Sequence, residues 1–226
     1  MVLVGNTLAE RMQYFGHWEA LLHSRFPKEE LVVRNLGWSA DEIVLRPRGK
    51  DFKDHKQTLA DHKPNVLLAF FGVNESFAGP AGIAKFEKDL EGFLKAPQNI
   101  DNYSTARSNW DHTADKTTEL PPLPMLRQIV LVSPIAHENL KRHGLPDGSK
   151  NNANLKLYTE AMARVAAKNK VTFIDLFTPS QKAMAAVAKP LTINGIHLNE
   201  DGDEVVGGIL DRALFGPPPT VEKGAK

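Results

Sequence analysis

Residues 2–11 place polar side chains where a strand turns into a helix. The apolar run Val2-Leu3-Val4 predicts a buried strand, Gly5 breaks it, and a helical pattern begins almost at once. The N–H groups of such a helix start favour negative charge, either on a bound anion or developing during a reaction. Asn6 and Thr7 are therefore presented at the carboxyl end of a strand, where open α/β sheets bind their ligands.

Two further glycine-led turns and one late loop offer partners for this first turn. The turns are Gly37-Trp38-Ser39 and Gly72-Val73-Asn74-Glu75, and each follows a strand-like run. The loop, Ile193 to Gly202, contains Asn194 and His197 and comes just before the last predicted helix. Because the carboxyl ends of parallel strands share one edge of a sheet, all three turns are expected at the same edge.

Apolar runs and helical spacing predict an alternation of strands and helices. The predicted strands are residues 2–4, 31–37, 66–71, 129–132 and 171–174. The predicted helices are residues 14–26, 52–62, 83–94, 155–167 and 204–214. Strands separated by helices indicate a mainly parallel sheet with right-handed crossovers and helices on both faces. The chain is thus expected to form one three-layer, doubly wound α/β domain over residues 1–215, followed by a Pro-led tail, 216–226.

The order of these four segments resembles the SGNH (GDSL-type) hydrolase superfamily of esterases and acylhydrolases. In that family the first turn reads Gly-Asp-Ser, the third reads Gly-x-Asn-Asp, and the late loop reads Asp-x-x-His. The resemblance implies a five-stranded sheet in flavodoxin-like order. It also implies that Thr7 is the nucleophile, His197 the base and Asn194 its orienting group, while Gly37, Asn74 and the N–H of Thr7 form the oxyanion hole.

Two positions depart from the family pattern: Thr7 replaces serine and Asn194 replaces the acid. Threonine serves as a nucleophile in some hydrolases, although its methyl group stiffens χ1 and crowds the attack. Asparagine can orient a histidine but cannot supply the carboxylate charge that stabilises an imidazolium. The sequence thus leaves two functions open. One is an ester hydrolase, acting on O-acetyl or other short acyl esters of carbohydrate, and the other is a domain that binds a glycan or partner domain without catalysis.

Structural interpretations also exist for two of the turns. Thr7-Leu8-Ala9-Glu10 matches a capping box, with Thr7 as N-cap and Glu10 bonding back to its N–H. That reading and the nucleophile reading are not exclusive. Ser39-Ala40-Asp41-Glu42 matches a second capping box, and there the cap is the favoured interpretation.

Further candidates for substrate contact lie outside the four segments. His137, in Ser133-Pro134-Ile135-Ala136-His137-Glu138, follows the fourth strand and is a candidate pocket residue or alternative base. The text from that stretch to Asn194-Gly195-Ile196-His197 also resembles a branch of the superfamily found in large multidomain bacterial proteins. The irregular segment 97–124 is either a solvated insertion or a lid that brings Trp110 and Arg107 to the pocket. Asn6 is a further candidate contact.

Composition and charge exclude several other functions. The chain has no cysteine, which removes thiolate nucleophiles, disulfides and Cys-based metal sites. Its formal net charge of +1 does not favour nucleic acid or a membrane surface as a partner, and no apolar run is long enough to span a bilayer. No spacing predicts a metal site, and the glycine turns match neither a Rossmann fingerprint nor a P-loop, so no cofactor is expected.

The two ends of the sequence bear on its origin. A strand at residue 2 and a polar tail after residue 215 suggest a segment of a longer chain, or a mature form whose leader was removed. The expected partners are then a small-molecule or carbohydrate ester and other domains of a parent chain. A removed leader would imply a periplasmic or secreted location, and otherwise a cytoplasmic one.

Overall fold

The fold is built on one five-stranded parallel sheet. A computed structural model describes residues 1–46, 59–102 and 121–217. The strands are β1 (Val2–Gly5), β2 (Arg34–Asn35), β3 (Val66–Phe70), β4 (Gln128–Val132) and β5 (Thr172–Ile174). Their order is β2-β1-β3-β4-β5, and every neighbouring pair is parallel. The predicted flavodoxin-like order is confirmed.

In the described part of the chain, six helices cover the two faces of this sheet. They are α1 (Thr7–Phe15), α2 (His17–Arg25), α3 (Ile83–Lys95), α4 (Ser149–Asn169), α5 (Phe177–Ala186) and α6 (Glu200–Phe215). Short 3₁₀ turns follow β3 and α3, at Glu75–Ala78, Pro80–Gly82 and Pro97–Asn102. None of the helices in the described part of the chain is both long and apolar enough to cross a membrane.

The alternating side chains of β3 show how the three layers form. Leu67 and Ala69 are fully buried in a core shared with α3 and α4. Leu68 and Phe70 are equally buried on the opposite face, in a core shared with α1, α2 and α6. A central parallel strand covered on both sides is expected to be apolar at every position, because it has no solvated face. The predicted three-layer sandwich is confirmed.

The end of β1 is fixed tightly against β3. Gly5 pairs with Phe70 and has a φ of 132°, a conformation that L side chains rarely adopt. A Cβ added at Gly5 would overlap the Phe70 carbonyl oxygen. The N–H of Asn6 donates to that same oxygen at 3.1 Å. The first residues after β1 are therefore held in place by the central strand.

Several element boundaries differ from the sequence prediction. The predicted helix 14–26 is instead the pair α1 and α2, because Gly16 adopts a left-handed φ of 72° and ends α1 with an N–H bond to Met12. Helix α5 was not predicted, and α4 and α6 begin earlier than expected. The strand predicted at 31–37 is reduced to β2. Of the helix predicted at 52–62, residues 52–58 lie outside the described chain and 59–62 form turns.

The two predicted capping boxes are both wrong. Asn6, not Thr7, is the N-cap of α1, since its side-chain oxygen accepts from the N–H of Leu8 at 3.0 Å. No helix begins at Ser39: Ala40 has a φ of 66°, and the Ser39 hydroxyl bonds to the carboxylate of Glu10. Glu10 is therefore used to tie α1 to the loop after β2 rather than to cap its own helix.

Candidate active site

A small cavity lies where the carboxyl ends of β1, β3 and β4 meet. Its volume is about 50 Å³, and its walls include four of the predicted site residues, Asn6, Thr7, Asn74 and His197. The remaining walls are apolar or aliphatic and come from Leu8, Val73, Pro134, Ile135 and Ile196. Sequence reasoning did not identify these apolar residues, although each lies in or next to a predicted turn or loop or within three positions of the end of a strand.

Thr7 is the first residue of α1 and lines this cavity. Because Asn6 caps the helix, the Thr7 hydroxyl is not needed for that role. No hydrogen bond in the described part of the chain uses this hydroxyl, and none joins it to His197. Such nucleophile–base contacts are often long in ligand-free sites. The helix start also presents its first N–H groups toward negative charge.

Asn74 is held in position by the loop that follows β2. Its side-chain nitrogen donates to the carbonyl oxygen of Asp41 at 3.1 Å. An amide nitrogen has two hydrogens, so one remains for a ligand in the cavity that Asn74 lines. The neighbouring Glu75 reinforces this arrangement, since its two carboxylate oxygens accept from the N–H groups of Ile43 at 3.0 Å and Gly72 at 2.9 Å.

Glu75→Gln is expected to destabilise the fold, and to do so more at about pH 5 than at about pH 8. The amide nitrogen of glutamine cannot accept, whereas the carboxyl oxygen that it replaces keeps a lone pair whether ionised or protonated, so a backbone N–H loses its partner, at a cost of about 1–3 kcal/mol. Burial raises the pKa of Glu75 from 4.5 to about 7. Between those values the native state binds more protons than the unfolded state. The stability that Glu75 gives the wild-type chain therefore falls as pH rises.

Urea denaturation at both pH values measures this difference. Glu29→Gln, at an exposed position, is the matched control and should leave stability and its pH dependence unchanged. An equal cost of Glu75→Gln at the two pH values would contradict the assigned titration.

Gly37 is placed differently from the expectation. It does not line the cavity, and its N–H donates to the side-chain oxygen of Asn35 at 2.9 Å. A Cβ at Gly37 would approach the backbone nitrogen of Glu10 to 2.6 Å. The glycine therefore lets this loop pass close to α1, whatever else its N–H does.

His197 is fixed on its loop by Asn194 and Arg11. The imidazole Nδ1 lies 2.9 Å from the side-chain nitrogen of Asn194. The Arg11 guanidinium donates twice to the carbonyl oxygen of Leu198, at 2.9 and 2.7 Å, which ties α1 to the histidine loop. Burial, and then the charge of Arg11, lower the pKa of His197 below its ordinary value of 6.5. The imidazole is therefore neutral at physiological pH.

His137 lies beneath this loop and not in the small cavity. Its Nε2 is packed against Gly195, which has a φ of 99°, and its Nδ1 lies 2.9 Å from the side-chain nitrogen of Asn151. Burial lowers the pKa of His137. Its buried neighbour Glu138 accepts from the N–H groups of Leu191 and Thr192 and from the Thr192 hydroxyl. These contacts hold the histidine loop from below.

A second cleft, of about 310 Å³, meets the small cavity at Asn74. Glu42, Phe77 and Lys85 are among its lining residues, and Phe77 is 63% exposed. Trp110 and Arg107 lie outside the described residues, which include only 97–102 and 121–124 of the predicted insertion. Within residues 1–46, 59–102 and 121–217, no group of three or more His, Asp or Glu side chains is arranged to hold a metal ion.

The doubly wound sheet, with a hydroxyl residue after β1, an asparagine after β3 and a histidine before the last helix, defines a class of α/β ester hydrolases. The sequence pattern of the GDSL-like lipase/acylhydrolase family matches residues 4–205. The chain belongs to this family and is by that membership an ester hydrolase. No curated protein sequence matches it closely enough to identify a nearer relative.

Solved structures of similar fold cover nearly the whole chain. One is a catalytic mutant of Axe2, an acetylxylan esterase from Geobacillus stearothermophilus, with a TM-score of 0.65, 13% identity, and 96% of this chain and 94% of that chain covered. Another is LAE5, an α/β hydrolase from the metagenome of Lake Arreo, Spain, with a TM-score of 0.62, 17% identity, and 95% and 94% coverage. At these identities the likeness establishes the fold.

Proposed function

We propose that the chain hydrolyses short acyl esters, acetyl esters of carbohydrates foremost. The observation that carries the proposal is the cavity of about 50 Å³ between Thr7, Asn74 and His197. At roughly 10–15 Å³ of cavity for each water molecule, it has room for only a few heavy atoms. An acetyl group has three, whereas a long acyl chain would find no apolar channel within this volume.

The reaction follows from the positions of these groups. The Thr7 hydroxyl attacks the acyl carbon while His197 Nε2 takes its proton, and a tetrahedral intermediate forms. Asn74 and the N–H of Thr7 donate to the new oxyanion. The N–H of Gly37 joins them only by leaving Asn35. His197 then gives its proton to the departing alcohol, and water releases the acid from Thr7 by the same steps.

The alcohol portion is assigned to the wider cleft that begins at Asn74. Phe77, which lines this cleft, is 63% exposed and follows Asn74 closely in the chain. Exposed aromatic rings offer apolar faces on which the C–H groups of a sugar ring can pack. The acetylxylan esterase of similar fold supports the choice of a carbohydrate alcohol.

Assays of the natural chain, Thr7→Ala and His197→Ala with p-nitrophenyl acetate, butyrate and octanoate test the proposal. Activity is expected to fall with acyl length, because the cavity is small, and to fall to background in both variants. Thr178→Ala and His143→Ala, at exposed positions, are matched controls and should keep wild-type activity.

Two results would contradict the proposal. Undiminished activity in Thr7→Ala would remove Thr7 as the nucleophile. A natural chain without activity on any acyl ester would favour the alternative, a domain that binds a glycan or partner domain without catalysis.

A further inference from the structure

The side-chain amide of Asn194 has one orientation fixed by its own loop. Its oxygen accepts from the backbone N–H of His197 at 3.0 Å and of Ile196 at 3.3 Å. Backbone nitrogens can only donate, so the atom that faces them must be the amide oxygen. Turning the amide over would place its NH₂ group against both donors and lose both bonds. The hydrogen-bond network, rather than the positions of heavy atoms alone, shows which atom of the amide is oxygen and which is nitrogen.

The orientation of the amide determines which imidazole nitrogen carries the proton. The NH₂ group of Asn194 lies 2.9 Å from Nδ1 of His197 and can only donate to it. Nδ1 must therefore be the acceptor, and a neutral imidazole with an accepting Nδ1 has its hydrogen on Nε2. We propose that Asn194 holds His197 in the Nε2–H tautomer, so that the resting imidazole donates where the hydrolytic reaction needs an acceptor.

The carboxylate of the family pattern would have the opposite effect. A carboxylate at position 194 accepts from the same two backbone N–H groups through one oxygen and from Nδ1–H through the other. Nε2 then keeps its lone pair and can take a proton from a hydroxyl. With Asn194, Nε2 gains that lone pair only when the proton moves to Nδ1 and opposes the amide NH₂. Asn194 is thus a positioning residue that sets the protonation of the base.

This tautomer has a consequence for the ligand-free site. Thr7, Asn74 and His197 all line one small cavity, and with this tautomer each of them has an N–H hydrogen to donate. Such a set binds a carbonyl or carboxylate oxygen well, but no member of it is ready to activate the nucleophile. When an orienting acid is replaced by asparagine in a Ser-His-Asp site, kcat falls by about 10⁴-fold because the wrong tautomer dominates.

Two-bond ¹H–¹⁵N correlation spectra of the histidine-labelled chain test the proposal directly. The spectra are taken near pH 9, well above the ordinary histidine pKa of about 6.5, so that the ring is neutral. The chain has eight histidines, and the His197→Ala spectrum assigns the signal. The natural chain should show an unprotonated Nδ1 and a protonated Nε2, and Asn194→Asp should exchange the two.

Asn139→Asp is the matched control, because Asn139 is exposed and its side-chain oxygen accepts from the backbone N–H of Lys141. A carboxylate can accept the same bond. It should leave the His197 tautomer unchanged. An Nδ1–H tautomer in the natural chain, or an unchanged tautomer in Asn194→Asp, would overturn the proposal. The spectra need no substrate, so a chain that cleaves no ester would refute the proposed function without affecting this result.

Discussion

Thr7→Ser combined with Asn194→Asp is expected to raise kcat on p-nitrophenyl acetate by on the order of 10⁴-fold over the natural chain. Most of the gain comes from Asn194→Asp, because the carboxylate turns Nδ1 of His197 into a donor and frees Nε2 as the base. It also stabilises the imidazolium that forms in the transition state. At about 1.4 kcal/mol for each factor of ten, the gain corresponds to a barrier lower by roughly 5 kcal/mol.

The Thr7→Ser change contributes a smaller, steric part. Thr7 is the first residue of α1, and the apolar side chains of Leu8 and Val73 line the same cavity. A β-branched side chain in a helix has a strongly restricted χ1, so the hydroxyl cannot turn freely toward both His197 and a substrate. Serine removes the methyl group and that restriction. Thr7→Ser alone should therefore give only a few-fold gain while the base remains in the wrong tautomer.

The kcat values of the natural chain, Thr7→Ser, Asn194→Asp and the double variant form a double-mutant cycle. A gain in Asn194→Asp alone, increased further by Thr7→Ser, is the expected pattern. No gain in either Asn194→Asp or the double variant would mean that the site works with Thr7 and Asn194 in roles other than those proposed. A spectrum of each variant shows whether the tautomer changed even where the rate did not.

The parallel sheet could be predicted because its strands are buried on both faces. Val66–Phe70 is apolar at every position, and burial on both sides requires that. The break between α1 and α2 could not be predicted from spacing, since the apolar residues on either side of Gly16 keep a helical period. Helix α5 was missed because its sequence mixes apolar and polar residues without a clear stripe. The packing of α5 against α4 and α6 compensates for its weak pattern.

The types and order of the site residues were visible in the sequence, but their hydrogen bonds were not. Thr7, Asn74 and His197 meet at the sheet edge because each follows or precedes an element whose direction the topology fixes. The orientation of the Asn194 amide depends on two backbone N–H groups whose directions exist only once the loop has folded. The same holds for Gly37, whose N–H is engaged by Asn35. Local loop geometry thus decides the chemistry that residue types leave open.

Asn74→Ala is expected to lower kcat by about 10²–10³-fold, with a smaller change in KM. In the proposed reaction, the amide hydrogen that remains after the bond to Asp41 donates to a charge that develops only in the transition state, and loss of one such donor typically costs this much. The measurement is best made in the Asn194→Asp background, where the higher starting rate allows a large fall in kcat to be measured above background.

The second role of Asn74 requires a control for structure. Its bond to Asp41 joins the turn after β3 to the loop after β2, so Asn74→Ala also removes a structural contact. Asn65→Ala is matched to it, because the exposed Asn65 amide likewise donates to a backbone carbonyl, that of Met125, at 3.2 Å. Both variants should lose similar, small amounts of stability in urea denaturation, and only Asn74→Ala should lose kcat. A full kcat in a folded Asn74→Ala chain would remove Asn74 from the oxyanion hole and leave the N–H of Thr7 as its donor.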